Sequence, residues 1–206
     1  MHIPSSTTDK IEVATFEAAR LCAEQPSAAY DVAKWLFVPN TYDEYRYILG
    51  TRGKNPLICC GINPSTAAPE NLDNTLKSAE RIALYNGYDS FIMLNIYAQR
   101  ATNPDDMEQN FNPLLHEENL KAFSYALTLC EGDAPTVWAA WGTIIEKRPF
   151  LQNCLRDFIE IGKEQHVHWV SAGKVSKKGH PHHPLYLRKD SGLDEFDMAA
   201  YEACFK

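Results

Sequence analysis

No stretch of this chain of 206 residues approaches the ~20 consecutive apolar residues that a membrane helix needs, so no membrane span is expected. The first residues, Met1-His2-Ile3-Pro4-Ser5-Ser6, lack a basic segment followed by an apolar one, so no secretory signal is expected either. The six cysteines, Cys22, Cys59, Cys60, Cys130, Cys154 and Cys204, show no C-x-x-C spacing and mostly sit in apolar stretches. That usage fits reduced thiols in a cytoplasmic protein. Neither G-x-G-x-x-G nor G-x-x-x-x-G-K-[ST] occurs, which removes the main support for a dinucleotide or P-loop site, and no cofactor is expected. Positive charge is also scarce. A formal net charge of −7 argues against a generic nucleic-acid coat, whose affinity rests on Lys and Arg neutralising phosphates, although a local basic patch is compatible with it.

What is present fits a globular chain. Hydrophobic residues at 45 % and charged residues at 23 % are ordinary proportions, and the length suits one α/β domain over residues 1–206. Apolar side chains at Ile11, Val13, Ala14, Phe16, Ala18, Leu21 and Cys22 predict an N-terminal helix over residues 9–24. Residues 34–38 and 45–49 predict two short strands, an edge hairpin that completes an N-terminal region of residues 1–50. In the core, residues 51–190, the run Leu57-Ile58-Cys59-Cys60 does not alternate and so predicts a strand buried on both faces.

Further strands are predicted at 90–96, 136–141 and 167–170, with helices at 73–86, 116–130 and 143–165. Asp73 is the expected cap of the first of these helices and Gly87 its stop, while Pro149 marks a break in the last. Strand and helix in alternation specify right-handed parallel crossovers. The expected fold is a three-layer α/β/α arrangement around a mainly parallel four-stranded sheet, with residues 191–206 as a C-terminal tail.

Parallel strands bring their carboxyl ends to one edge, so the loops 61–66, 97–102, 142–143 and 171–183 should converge there. In the first, Gly61-Ile62-Asn63-Pro64-Ser65-Thr66, the amide of Asn63 can hold a water or a polar ring, and Ser65 and Thr66 add hydroxyls. The same residues also suit a plain turn. Ser65 lacks the glycines of a G-x-S-x-G elbow, which disfavours it as a nucleophile. In the last loop, Gly179-His180-Pro181-His182-His183-Pro184, the imidazoles of His180 and His183 can serve as acid, base or hydrogen-bond donor, or remain solvated. Three histidines within four residues around a proline are poorly spaced for zinc, and no metal is expected. Arg100 and Lys178 are candidates for attracting an anionic ligand, and Tyr97 for stacking on a flat ring, each against the alternative of surface or core support.

Several segments resemble the DUF1643 family, a mainly bacterial and phage group of unknown function: Tyr45-Arg46-Tyr47, Asn63-Pro64-Ser65-Thr66-Ala67, Asp73-Asn74-Thr75, Asn95 to Thr102, Trp141-Gly142, and Gly179 to Tyr186. The chain departs from the family pattern at Ala68, where the family often has Asp, and at Asn74, where it often has Pro. More distantly, Gly61-Ile62-Asn63-Pro64 and His180-Pro181 with His183-Pro184 are similar to the two active-site motifs of the uracil-DNA glycosylase superfamily, in particular its mismatch-specific branch. That resemblance implies a uracil-DNA-glycosylase-like fold and a nucleotide, nucleobase or nucleic acid as ligand. It further implies catalysis by Asn63, positioning a hydrolytic water, and by His180, bonding the base carbonyl, with His183 as the competing match. Ser65, Thr66, Tyr97, Arg100, Lys178 and His183 are the candidate substrate contacts. The alternative is a non-catalytic nucleotide or nucleic-acid binding module, or a fold in which both turns are only supports.

Overall fold

The computed structural model describes residues 1–132 and 134–205. Its strands are β1 (Trp35–Val38), β2 (Ile48–Thr51), β3 (Pro56–Gly61), β4 (Ser90–Asn95), β5 (Thr136–Ala139), β6 (His168–Ala172) and β7 (Leu193–Glu195). Its α-helices are α1 (Phe16–Ala23), α2 (Asn74–Tyr85), α3 (Pro113–Leu127), α4 (Leu151–Glu164) and α5 (Met198–Glu202). All strands join one sheet in the order β1-β2-β4-β3-β5-β6-β7. The central β4, β3, β5 and β6 are parallel, while β1, β2 and β7 pair antiparallel at the flanks. To the four parallel strands and the edge hairpin, both expected, the C-terminal segment adds β7, which makes the sheet seven-stranded.

The apolar runs explain why the middle strands lie inside. Leu57 and Cys59 of β3 face the α2 side, among Leu76, Ala79 and Ile82. Ile58 and Cys60 face the opposite side, packed with residues of α1, α3, α4 and α5. A strand covered on both faces has no use for alternation. The split of the helices follows from strand order: β3 to β4 steps one way across the sheet, β4 to β5 and β5 to β6 step the other, and right-handed crossovers then place α2 opposite α3 and α4.

Local signals set most element ends. Asp73 caps α2 by accepting a hydrogen bond from the Leu76 N–H at 2.9 Å, and Gly87 beyond the helix takes φ +85°, a conformation that suits glycine. Asn112 caps α3 ahead of Pro113, so that helix begins three residues before the predicted 116. Residues 142–146 form a short 3₁₀ segment before α4, and the chain breaks around Pro149 as expected.

Three expectations are corrected by tertiary contacts. The N-terminal helix spans only α1, with a separate 3₁₀ turn at Thr8–Lys10. Between them the Ala14 N–H donates to the Tyr45 hydroxyl at 2.9 Å, and the Tyr47 hydroxyl donates to the Ala14 carbonyl at 2.9 Å, so neither group is left for a helix. The strand expected at 45–49 shifts to β2. Tyr45 instead bridges to Gln99, and the Arg46 N–H donates to the Ala98 carbonyl at 3.0 Å. With Tyr45 and Tyr47 on the α1 side, Arg46 faces the carboxyl ends of the strands. The expected tail also has structure: β7 pairs with β6, and Tyr201 of α5 enters the core.

Candidate functional site

The strand order reverses between β3 and β5, since the chain leaves β3 towards β4 and returns past it to β5. Loops at such a point diverge and leave a crevice beyond the carboxyl ends of the strands. A cavity of about 540 Å³ lies there, within the ~300–1,000 Å³ of small-molecule sites. Its walls come from the Asn63 loop, the start of α2, Asn95, the loop after Ala101, Gly142 to Ile144, and the His180 loop. Of the residues predicted from sequence, Asn63, Ser65, Thr66, His180 and His183 line this cavity together, whereas Tyr97, Arg100 and Lys178 do not.

The Asn63 loop is strapped to the loop after β4. Asn63 Nδ2 donates to the Ala101 carbonyl at 2.7 Å and to the Pro64 carbonyl at 3.3 Å. With the amide nitrogen committed to two carbonyls, the side chain has one orientation, and Oδ1 is left as an acceptor in the cavity. The Ser65 hydroxyl donates to the Thr102 hydroxyl at 3.1 Å and has no imidazole partner to activate it. Arg100 is wholly buried; it donates to the Ser65 carbonyl, donates to the Ala67 carbonyl at 3.2 Å, and lies over the Tyr42 ring. It braces the loop from behind. Tyr97 lies in the core, its hydroxyl donating to Glu108 and accepting from the Asn112 N–H.

The two candidate histidines differ in what they leave free. The indole N–H of Trp141, a donor only, reaches the Tyr201 hydroxyl at 3.0 Å, and that hydroxyl lies 2.7 Å from His180 Nδ1. The arrangement sends the Tyr201 proton to Nδ1, leaving His180 Nε2–H to donate to Glu146 Oε1 at 3.1 Å. Lys178 holds the other Glu146 oxygen at 2.7 Å, and Lys178 and His180 together keep that carboxyl below its usual range. Both ring nitrogens of His180 are thus occupied by protein.

His183 is held on one nitrogen only. Its Nδ1 accepts from the Leu185 N–H at 3.3 Å, so in the neutral ring the proton sits on Nε2, which is free to donate. Desolvation, and then the neighbouring His182, lower its pKa against the opposing pull of Asp73. A neutral donor at physiological pH results. The Ser78 hydroxyl fixes this turn by donating to the Pro184 carbonyl at 2.8 Å. Tyr186, 75 % exposed, stands at the mouth.

Three cavity residues escape the sequence reading. Asn95, 1 % exposed at the end of β4, has neither Nδ2 nor Oδ1 bonded to any described residue. Gly61 makes room for it: a Cβ at that position would lie 2.9 Å from Asn95 Oδ1 and 2.6 Å from Met93 Cε. Arg46, also 1 % exposed, donates from Nη1 to the Ala67 carbonyl at 3.1 Å but leaves Nε and Nη2 unpaired. Burial, and then Arg100, push its pKa down to about 9, so it stays charged at neutral pH. Asp73 is the one carboxylate among the lining residues. Each unpaired buried polar group costs about 1–3 kcal/mol. The signal for Arg46 was an arginine between two tyrosines, and for Asn95 a polar residue closing an apolar strand.

Residues 46–185 match DUF1643, described as a protein of unknown function. The chain belongs to the DUF1643 family. No curated protein matches it. The part of this DUF1643 protein that matches includes every residue lining the cavity except Tyr186. No group of three or more His, Cys, Asp or Glu among the described residues is arranged to hold a metal ion, and no helix among them is long and apolar enough to cross a membrane.

Proposed function

We propose that this DUF1643 protein takes a nucleobase or nucleotide into the strand-end cavity and hydrolyses its N-glycosidic bond. The observation that carries this reading is the fixed amide of Asn63, whose Oδ1 is the acceptor left for a water while Nδ2 is held by Ala101 and Pro64. A water so held attacks the sugar carbon, the carbon–nitrogen bond breaks, and its electron pair leaves on the base, which gains the proton the water loses. Asp73 supplies a negative charge beside the positive charge that develops on the sugar. The free Nε2–H of His183 suits the base carbonyl, and the unpaired carboxamide of Asn95 offers a donor and an acceptor to a ring edge. The likeness of Gly61-Ile62-Asn63-Pro64, and of His180-Pro181 with His183-Pro184, to the two motifs of the uracil-DNA glycosylase superfamily supports the same chemistry, with the competing match His183 rather than His180 given the base carbonyl.

A second reading, a binding module without turnover, is favoured by His180, whose ring is committed to Tyr201 and Glu146. Base release, measured by chromatography from uracil-, hypoxanthine- and mismatch-containing DNA and from free nucleosides and nucleotides, separates the two. Release that Asn63→Ala abolishes and His183→Ala reduces is expected. No release from any substrate, or release that neither change affects, sinks the hydrolase. Ligand-induced stabilisation without release leaves the module.

A further inference from the structure

We propose that the wall of the cavity beneath Ala67 is an anion subsite, in which the Nε and Nη2 edge of Arg46 takes the terminal phosphate of a mononucleotide. The subsite rests on the preceding reading for its base half only, because the argument for the anion begins from charge. Arg46 and Arg100 lie close enough for each other's charge to be felt, both hold the Ala67 carbonyl, and neither is paired with a carboxylate among the described residues. On each guanidinium the same two nitrogens, Nε and Nη2, are buried and without partner. Those two N–H groups form one edge of the planar fork, the edge that binds phosphate or carboxylate through two parallel hydrogen bonds. Arg46 lines the cavity, and Arg100, which does not, adds charge from behind it.

The start of α2 contributes in the same direction. Asn74 and Thr75 line the cavity, and their backbone N–H groups have no acceptor among the described residues, so the positive end of a helix of 12 residues is open there. Asp73 opposes an anion, but one of its oxygens is committed to the Leu76 N–H, and it is one negative charge against two guanidinium ions. Depth selects the form of the anion. Arg46 is 1 % exposed, so a group reaching it must be the end of a ligand rather than a polymer backbone passing in and out. A monophosphate ester fits that requirement, and the net charge of −7 is unfavourable to a long polyanion.

The test is thermal shift and calorimetry at constant ionic strength with orthophosphate, the common ribonucleosides, their monophosphates and a short single-stranded oligonucleotide. Orthophosphate should raise the melting temperature of the wild type, and the preferred monophosphate should bind roughly tenfold or more tightly than its nucleoside. Arg46→Met should abolish the phosphate shift and bring the nucleotide down to the nucleoside's affinity, without lowering the melting temperature of the free protein. Arg46→Lys should retain part of both effects. Monophosphate no better than nucleoside, or a phosphate shift that survives in Arg46→Met, overturns the subsite while leaving the base reading intact. Phosphate binding with no further gain from any nucleoside keeps the subsite and removes the base. Tighter binding of the oligonucleotide than of the mononucleotide overturns the terminal phosphate. If Arg46→Met does not fold, the wild-type comparison of nucleoside with monophosphate decides.

Discussion

The two sides of the cavity treat their polar groups in opposite ways. On the His180 side the chain Trp141, Tyr201, His180, Glu146 and Lys178 satisfies each member in turn. On the side formed by Arg46 and Asn95, buried donors and acceptors have no partner among the described residues. A satisfied network specifies a shape, whereas unmet hydrogen-bonding capacity at a cavity is available to something that enters it. His180 is thus held by protein partners on both ring nitrogens, and the buried groups without partners among the described residues lie across from it, on Arg46 and Asn95.

The largest effect expected from this contrast is on stability. His180→Ala removes hydrogen bonds to Tyr201 and Glu146 and leaves the buried Tyr201 hydroxyl without its acceptor, a loss of roughly 2–4 kcal/mol. For a chain of this size that corresponds to a fall of about 5–15 °C in melting temperature. Tyr201→Phe should reproduce part of it, since the Trp141 indole and His180 would each lose their partner. A His180→Ala protein that melts with the wild type but loses ligand binding would reverse the assignment of the two sides.

Asn95→Leu sharpens the other half of the contrast, with a smaller change of opposite sign. Replacing an unpaired buried carboxamide by a hydrocarbon of similar shape should leave stability unchanged or raise it by about 1–2 kcal/mol in chemical denaturation, while nucleoside binding is lost. A destabilisation comparable to that of His180→Ala would mean that Asn95 serves the fold.

How far the sequence reveals these features depends on whether the cause is local. The four parallel strands are legible because burial on both faces leaves continuous apolar runs, and α2 because Asp73 and Gly87 mark its ends. β7 is illegible, since Leu193-Asp194-Glu195 has one apolar residue and joins the sheet through its backbone. The late start of the N-terminal helix, after Ala14, owes part to the local Thr15 cap and part to hydroxyls 31 and 33 residues away, which no window of sequence contains. Asn63 and His183 are expected at the strand ends from turn chemistry and order along the chain, and both line the cavity. Arg46 is passed over because charge in a sequence is read as surface, while here the fold buries it; Arg100 is read as a contact for an anionic ligand, and the fold sets it against the Ser65 and Ala67 carbonyls, outside the lining of the cavity.

The smallest predicted effect concerns protons. The pKa of His183 is below the ordinary histidine value of about 6.5, chiefly because burial disfavours the cation. As pH falls through about 6.5, the unfolded chain binds a proton that the folded ring resists, so the folded state loses stability; the loss levels off once the folded ring is protonated too. Protonation would also take from Nδ1 the lone pair that accepts the Leu185 N–H, which couples the titration to the geometry of the turn. His183→Gln removes this contribution, so melting temperatures measured between pH 7.5 and pH 5 should fall less steeply in the variant than in the wild type. Every other histidine is common to both proteins, and the difference between the curves isolates His183. Parallel curves would mean that the ring titrates as freely as on a surface, and His183 would then lose its place as the neutral donor facing the cavity.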